Sequence, residues 1–288
     1  MGGKAKVMKS EAFREVHRYN NPAPILVFRH TKERCTGVDA HWHDDLEISL
    51  VSKGRVRFYV GGQEKDRAEG RICIVGSGEV HSATPVFESP DEIDTGITLL
   101  IQHDFLNGVI PNYDNITFAD PRKEEEEKIA AYLARIEELY EGQRDVSVSV
   151  RILGLVCQIL SVLLEECAIE RDSVDVNYWK DSERQKIILD YIHLHYDQPL
   201  RQGELAEQFH FSREYFCRFF KRYTGQTFKE YLTGYRLFHA EQMLRSSDNS
   251  IVEIAHCNGF PDEQSFIRAF KNQYKESPGK YRKAWAGR

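Results

Sequence analysis

The sequence predicts an α+β protein in two parts: a small β-barrel or jelly roll that runs on into a helical connector, and an all-α C-terminal part built from two tandem helix-turn-helix motifs. Three observations predict it. Residues from about 24 to 118 carry short apolar or alternating runs parted by turn-rich stretches. From Pro121 onward the hydrophobic period changes to that of amphipathic helices. Near the C-terminus a six-residue block occurs twice, Phe216-Cys217-Arg218-Phe219-Phe220-Lys221 returning fifty positions later as Phe266-Ile267-Arg268-Ala269-Phe270-Lys271.

The strand candidates are Ile25 to Phe28, Leu46 to Val51, Val56 to Val60, Ile72 to Val75 and Gly96 to Ile101. Between them fall Lys53-Gly54, Gly61-Gly62, Gly76-Ser77-Gly78 and Ser89-Pro90-Asp91, residues that suit tight turns. Many short strands at near-regular spacing favour a barrel or jelly roll. The charged run Arg122 to Lys128 reads as the solvated start of a helix reaching about Glu141. A second helix is predicted over roughly Val146 to Arg171, with Val150, Leu153, Val156, Leu160, Leu163 and Cys167 in helical rhythm and Leu155, Ile159 and Val162 widening the stripe. A stripe that wide needs a partner, either the β-domain with the preceding helix or a second subunit. Residues 172–181 are polar and read as a linker, and Ser182 suits the N-cap of the next helix. The expected boundaries are 1–120 for the barrel, 121–176 for the connector and dimerisation region, and 182–288 for the C-terminal domain.

In each copy of the repeat the aromatics at i and i+4 share one helix face, and an arginine and a lysine lie off it. The same offset carries Thr227 onto Ser277 and Tyr231 onto Tyr281. Small helical segments with Leu205-Ala206 and Ile254-Ala255 precede the copies, separated from them by short turns. Helix, tight turn and basic amphipathic helix is the pattern of a reader of duplex DNA. Charge distribution agrees. The chain carries −6 in total, yet residues 201–288 hold 15 Lys+Arg against 10 Asp+Glu while residues 1–200 hold 24 against 35. Six scattered cysteines with no C-x-x-C pair read as reduced, mostly buried thiols of a cytoplasmic protein. No N-terminal apolar leader and no apolar run near 18 residues is evident, so no membrane association is expected.

Residues 182–288 resemble the DNA-binding domain of the AraC/XylS family of bacterial transcription regulators. The resemblance rests on Leu205-Ala206 with Ser212, then Phe216-x-Arg218-x-Phe220-Lys221, Thr224-Gly225 and Phe228-x-x-Tyr231. It continues through Arg236-x-x-x-Ala240-x-x-x-Leu244, Ile251-x-x-Ile254-Ala255, Gly259-Phe260, Ser265-Phe266-x-Arg268-x-Phe270-Lys271 and Ser277-Pro278-x-x-Tyr281-Arg282. Two departures stand out: Asn258 occupies a position usually small and apolar, and Glu276 one where glycine is common. The outer faces carry Arg213, Glu214, Cys217 and Arg218 in the first motif and Glu263, Gln264, Ile267 and Arg268 in the second. Arginine can grip guanine with two hydrogen bonds, glutamine can pair with adenine, and an apolar tip suits a thymine methyl. Lys221 and Lys271, nearer the helix C-termini, suit phosphates. The family implies base contact at Glu214, Cys217, Arg218, Glu263, Gln264 and Arg268, and promoter activation through RNA polymerase, with repression as the other outcome.

Residues 37–85 resemble a cupin, the small barrel that serves this regulator family as an effector-binding domain. The first motif is His41-x-His43-x-x-x-Glu47 with Gly54 beyond it, and the second is Gly70, Gly76-x-Gly78 and His81. Where metal-binding cupins usually have Pro and Asn, this chain has Gly76 and Pro85. His41, His43 and Glu47 share parity, alongside Asp45 and Ser49, so in one strand they would face the same way. With His81 they make a three-histidine, one-carboxylate set that suits a divalent transition metal such as Zn, Fe, Mn or Ni. The other reading is a polar pocket with no cofactor, lined further by Arg55, Arg57 or Tyr59, for a small polar effector such as a sugar or organic acid. The expectation is therefore a homodimeric, effector-responsive regulator of double-stranded DNA and not an enzyme. The alternative is a cupin metalloenzyme, an oxygenase or isomerase, fused to a DNA-targeting module.

Overall fold

In the computed structural model, two four-stranded antiparallel sheets face each other, in the orders β1-β8-β3-β6 and β2-β7-β4-β5. The structure describes residues 17, 23–30, 37–87, 95–141, 145–171 and 176–286. Cys35, the turn at Ser89-Pro90-Asp91 and residues 172–175 of the expected linker lie outside that set. The chain divides into two compact units, with the break between Arg184 and Gln185.

In the first unit, β1 (Ile25–His30), β8 (Thr95–Ile101), β3 (Leu46–Lys53) and β6 (Ile72–Val75) form one sheet. The other comprises β2 (Val38–His41), β7 (His81–Pro85), β4 (Arg55–Val60) and β5 (Gln63–Ala68). The period-2 alternation of β3 decides what each face meets. Leu46 and Ile48 join a core with Ile72, Ile74, Leu99 and Ile101 and with the helices that cover this sheet. Val51, together with Cys73 and Val75, packs between the sheets against Val56, Phe58 and Val60. The strand β5, QEKDRA, has no apolar face and was not expected. It is an edge strand whose register is set by its pairing with β4 across the Gly61-Gly62 turn.

The covering helices are α1 (His103–Val109), α2 (Lys123–Glu141) and α3 (Val146–Glu166). Ile129, Leu133 and Ile136 of α2 and Ile152, Val156, Ile159, Leu160 and Leu163 of α3 are buried with the sheet. Packing against the β-domain and α2 therefore takes one stripe of α3. Val150, placed in that stripe by the sequence, instead lies on the opposite face with Val146 and Cys157, all exposed. The helix also ends at Glu166 and not Arg171, because residues Ala168–Glu170 form β10 against β9 (Ile116–Phe118). Among the described helices, α3 alone is long and apolar enough to cross a membrane, contrary to the expectation that no such run occurs; its buried stripe belongs to the core of this unit.

Helix α4 (Val176–His195) takes up residues 176–181 of the expected linker. Ser182 is not an N-cap but a buried mid-helix residue. Strong helix formers surround it, no Pro or Gly interrupts the run, and Arg184 pairs with Asp181 one turn away.

The second unit continues with α5 (Gln202–Gln208), α6 (Arg213–Thr224), α7 (Phe228–Ser246), α8 (Ile251–Cys257), α9 (Glu263–Tyr274) and α10 (Pro278–Ala286). Thr227 with Glu230 and Ser250 with Glu253 build capping boxes at the starts of α7 and α8. The fully buried pairs Phe216/Phe220 and Phe266/Phe270 anchor α6 and α9. Leu237, Ala240 and Leu244 of α7 pack with Phe266 and Phe270. Arg236 donates to the carbonyls of Tyr196 and Gln198, tying the end of α4 to α7. Gly259 sits where an added Cβ would lie 2.5 Å from the Tyr196 carbonyl oxygen, so the backbone approach admits only glycine. Asn258 is buried because its amide donates to the Ile254 carbonyl at 2.8 Å, which accommodates a polar residue at that position. Cysteine usage is less buried than expected: Cys73 and Cys167 are buried, but Cys157, Cys217 and Cys257 are exposed.

Candidate nucleic-acid interface and barrel pocket

Both recognition helices begin with a capped first turn that leaves the outer face open. Ser212 accepts from the Tyr215 N–H at 3.2 Å, and Asp262 accepts from the Ser265 N–H at 2.6 Å. The bond from Ser265 holds the Asp262 carboxyl below its ordinary range, so it stays ionised at the N-terminal, positive end of α9. Arg213, Glu214, Cys217, Arg218 and Lys221 are all exposed on α6. On α9, Gln264, Arg268 and Lys271 are exposed, while Glu263 and Ile267 are half-buried. Cys217 is not wholly free, since the Gln202 amide of α5 meets its Sγ.

The two motifs are not strict copies. Phe211 N–H bonds the Ala206 carbonyl at 2.8 Å, and Phe260 N–H bonds the Ala255 carbonyl at 3.0 Å, an offset one residue shorter than that between α6 and α9. Pro261 is the extra residue, and it lengthens the second turn. At the other end, α6 closes on Gly225 with φ 75 and α9 on Lys275 with φ 61, both left-handed. The departure from glycine thus falls on Lys275 and not on Glu276.

In the barrel, His41, His43, Glu47 and His81 converge, each offering a ligand atom within 4.8 Å of the others. They do not share one strand as parity implied. His41 ends β2, His43 lies beyond it, Glu47 is in β3, and His81 opens β7 directly across from His41. His81 also pairs with Val60, whose side chain faces the core between the sheets, so the imidazole points inward with it. Glu47 Oε2 lies 3.4 Å from His43 Nε2 and 3.3 Å from His81 Nε2. Burial alone would raise the Glu47 carboxyl, but the neighbouring imidazoles of His81 and His43 outweigh it and hold the group well below the usual carboxylate range. Burial likewise opposes the charged form of His81, and the facing Glu47 carboxylate outweighs that and raises it.

Arg55, Arg57 and Tyr59 are not part of this pocket. Alternation along β4 sends Val56, Phe58 and Val60 inward, so these three lie on the outer face, where Arg55 pairs with Asp66 while Arg57 and Tyr59 meet Glu64. The residues that do complete the pocket come from elsewhere. Ser49 donates to Glu47 Oε1 at 2.8 Å and meets Thr98 Oγ1 at 2.7 Å, and Thr98 in turn meets His30 Nε2 at 2.9 Å. Asp45 accepts from the backbone N–H of His103 at 3.0 Å and pairs with His17 at 2.7 Å. Shared parity marked Asp45 and Ser49 in the sequence. His30 and Thr98 carry no local signal, because only strand pairing brings them near, and His17, which lies in no strand, carries none either.

A model of the AraC-like ligand-binding domain matches residues 30–147, and a model of a helix-turn-helix domain matches residues 205–284. The chain belongs to the AraC family of transcriptional regulators. The transcriptional activator RhaS of Escherichia coli is 25% identical over 249 residues, covering 83% of this chain and 85% of RhaS. YdeC of Bacillus subtilis, an uncharacterized regulator of the helix-turn-helix type, is 23% identical over 273 residues, covering 90% of this chain and 92% of its own. Among solved structures, the DNA-binding domain of AdpA in complex with a target DNA is 27% identical, covers 36% of this chain and 94% of that one, and superposes with a TM-score of 0.35. This AraC-family member is thus a DNA-binding transcriptional regulator with a β-rich sensor-type domain ahead of its helix-turn-helix domain.

Proposed function

We propose that this regulator reads two major-groove segments with α6 and α9, and that it activates transcription through RNA polymerase when a small polar effector occupies the barrel. The observation that carries the reading is the repeated exposed face, Arg213, Glu214, Cys217 and Arg218 on one helix and Gln264 and Arg268 on the other, held by the same buried Phe pair. Arg218 and Arg268 are assigned to guanine, Gln264 to adenine, and Lys221 and Lys271 to phosphates. Helix α7 spans 19 residues, about 28 Å at 1.5 Å per residue, a length compatible with motifs set near one helical turn of duplex apart.

Activation is favoured over repression by the similarity to RhaS, a transcriptional activator. The exposed stripe of Val146, Val150 and Cys157 on α3 is the surface assigned to a homodimer. The buried histidine and carboxylate groups favour an effector rich in hydroxyl or carboxylate oxygens, a sugar or an organic acid. Such an effector alters DNA affinity only as far as it prefers one arrangement of the protein over another. The metalloenzyme alternative has no support from the relatives, which are regulators by name. Footprinting of the full chain on the DNA upstream of neighbouring genes, with a panel of sugars and organic acids, tests the reading. A bipartite protected site whose occupancy shifts with one of them is expected, and a chain that protects no duplex would overturn it.

A further inference from the structure

We infer that the two recognition helices divide their work: α6 grips the phosphate walls of its groove through Arg213 and Arg222, whereas α9 reads bases without that grip. The inference rests on the regulator reading above and states what each helix contributes to it.

Arg213 and Arg222 are nine residues apart on α6, two and a half turns at about 3.6 residues per turn, so they stand on opposite edges of the helix. Between those edges lies the strip of Glu214, Cys217, Arg218 and Lys221. All six residues are exposed, and Phe216, Phe219, Phe220 and Tyr223 fill the opposite, buried face. Arg222 holds its guanidinium 5.7 Å from the centroid of the Tyr223 ring. The major groove is about 12 Å wide and a helix with its side chains about 10–12 Å across. When the middle strip meets bases, the two edges therefore meet the phosphates on either side. Arginine suits both positions.

The fifty-residue offset puts Glu263 and Asn272 at the matching edges of α9. One edge thus carries the opposite charge and the other none. Asp262 also stands in place of Ser212 at the cap, and only Gln264 for Glu214 works the other way. Counted with its cap residue, α6 carries four cations against one carboxylate, and α9 two against two. Asp262 occupies the positive end of its own helix, bonded to the Ser265 N–H at 2.6 Å and hydroxyl at 3.1 Å. Those bonds, with the charge of Arg268, keep Asp262 ionised, so the one arginine of α9 is partly balanced within its own helix. A phosphate approaching this turn meets Asp262 and Glu263 first. What draws a protein to any duplex is phosphate, so an evenly charged α9 holds poorly to the wrong sequence. Its contribution is selection by Gln264 and Arg268.

The test measures binding of the full chain to a duplex of mixed sequence over a series of potassium chloride concentrations. The slope of log K against log salt counts the phosphates engaged, at about 0.9 per contact. Arg213→Ala and Arg222→Ala should each flatten the slope by about one. Glu263→Arg and Asn272→Arg give α9 the edges of the first copy. Each should steepen the slope by about one and tighten binding at low salt by roughly tenfold. Asp262→Ser keeps a capping oxygen, as Ser212 does, and should tighten binding by a smaller factor. If Glu263→Arg fails to fold, Asn272→Arg and Arg222→Ala, at exposed positions near the helix C-termini, still decide the matter. Slopes indifferent to Arg213→Ala and Arg222→Ala, or α9 variants that bind mixed-sequence duplex no better than wild type, would overturn the inference. A wild-type chain that binds no duplex even at low salt would bring down the regulator reading itself, a result distinct from either.

Discussion

Replacing Lys275 with glycine should stabilise the second recognition helix. Both α6 and α9 end with a left-handed residue whose N–H closes on the carbonyl four residues earlier, Lys221 for Gly225 and Lys271 for Lys275, each at 2.9 Å. In the first copy the residue is glycine, which adopts φ 75 at no steric cost. In the second a lysine is held at φ 61, where Cβ crowds the following carbonyl at a cost of about 1–2 kcal/mol. Glycine loses more backbone freedom on folding, which offsets about 0.5–1 kcal/mol of the relief. The substitution also gives up the bond from Lys275 Nζ to the Asn272 carbonyl, which is exposed and readily replaced by water. The net gain is then about 0.5–1 kcal/mol. Amide hydrogen exchange of the full chain, read in peptides spanning α9 and α10, measures this locally. Lys275→Gly should slow exchange there by roughly two- to fivefold. Gly225→Ala, the reverse change at the matching position, should speed it in α6 by a similar or larger factor. Faster exchange in α9 after Lys275→Gly, or an indifferent α6 after Gly225→Ala, would refute the argument that the left-handed cap governs these helix ends.

Two further outcomes are expected of the same unit. Arg218→Ala and Arg268→Ala should each cost about 1–3 kcal/mol of specific binding and relax sequence preference in one half of the footprint only, as read by competition with half-site variants; uniform weakening on all sequences would make them phosphate contacts. Burial lowers the pKa of His239, which stacks on Tyr196 with ring centroids 4.6 Å apart, and its Nε2 has no partner. The unfolded chain therefore takes up this proton first as pH falls, so the stability is full above the ordinary histidine value near 6.5 and is lost below it, toward the depressed folded value. His239→Phe, which keeps the stack, should reduce the loss of stability between about pH 7 and pH 5 in denaturant unfolding, and an unchanged pH dependence would sink the assignment.

How much of this was legible in the sequence depended on how local the deciding interaction is. The recognition helices were readable because their signals lie within one or two turns: Phe216 and Phe220 on one face, Ser212 at the cap, Arg218 opposite. Where the two copies differ, locality also misled. The extra Pro261 shifts the frame by one residue at the start of the second motif, whereas at its end Lys275 keeps the fifty-residue offset from Gly225, so the glycine position falls one residue before the expected Glu276. Ser182 failed as a cap for a different reason, since a good capping residue caps only where the chain before it is not already helical. The barrel pocket shows the limit most sharply. Motif spacing named its four converging side chains, but the argument from shared strand parity was wrong, for His41 and Glu47 lie in different strands. The same spacing could not tell which face of β4 turns inward, and Arg55, Arg57 and Tyr59 turned out to face away. Nor could it find Thr98 and His30, which reach Glu47 only because β8 pairs with both β3 and β1, setting Thr98 beside Ser49 and Phe28. A strand's own residues say which of them share a face; only the neighbouring sheet says whether that face is the inside. The chemistry of the pocket is therefore written in residue types, while the orientation of its three imidazoles is set by the backbone carbonyls of Asp39, Asp45 and Glu79, which no sequence motif displays.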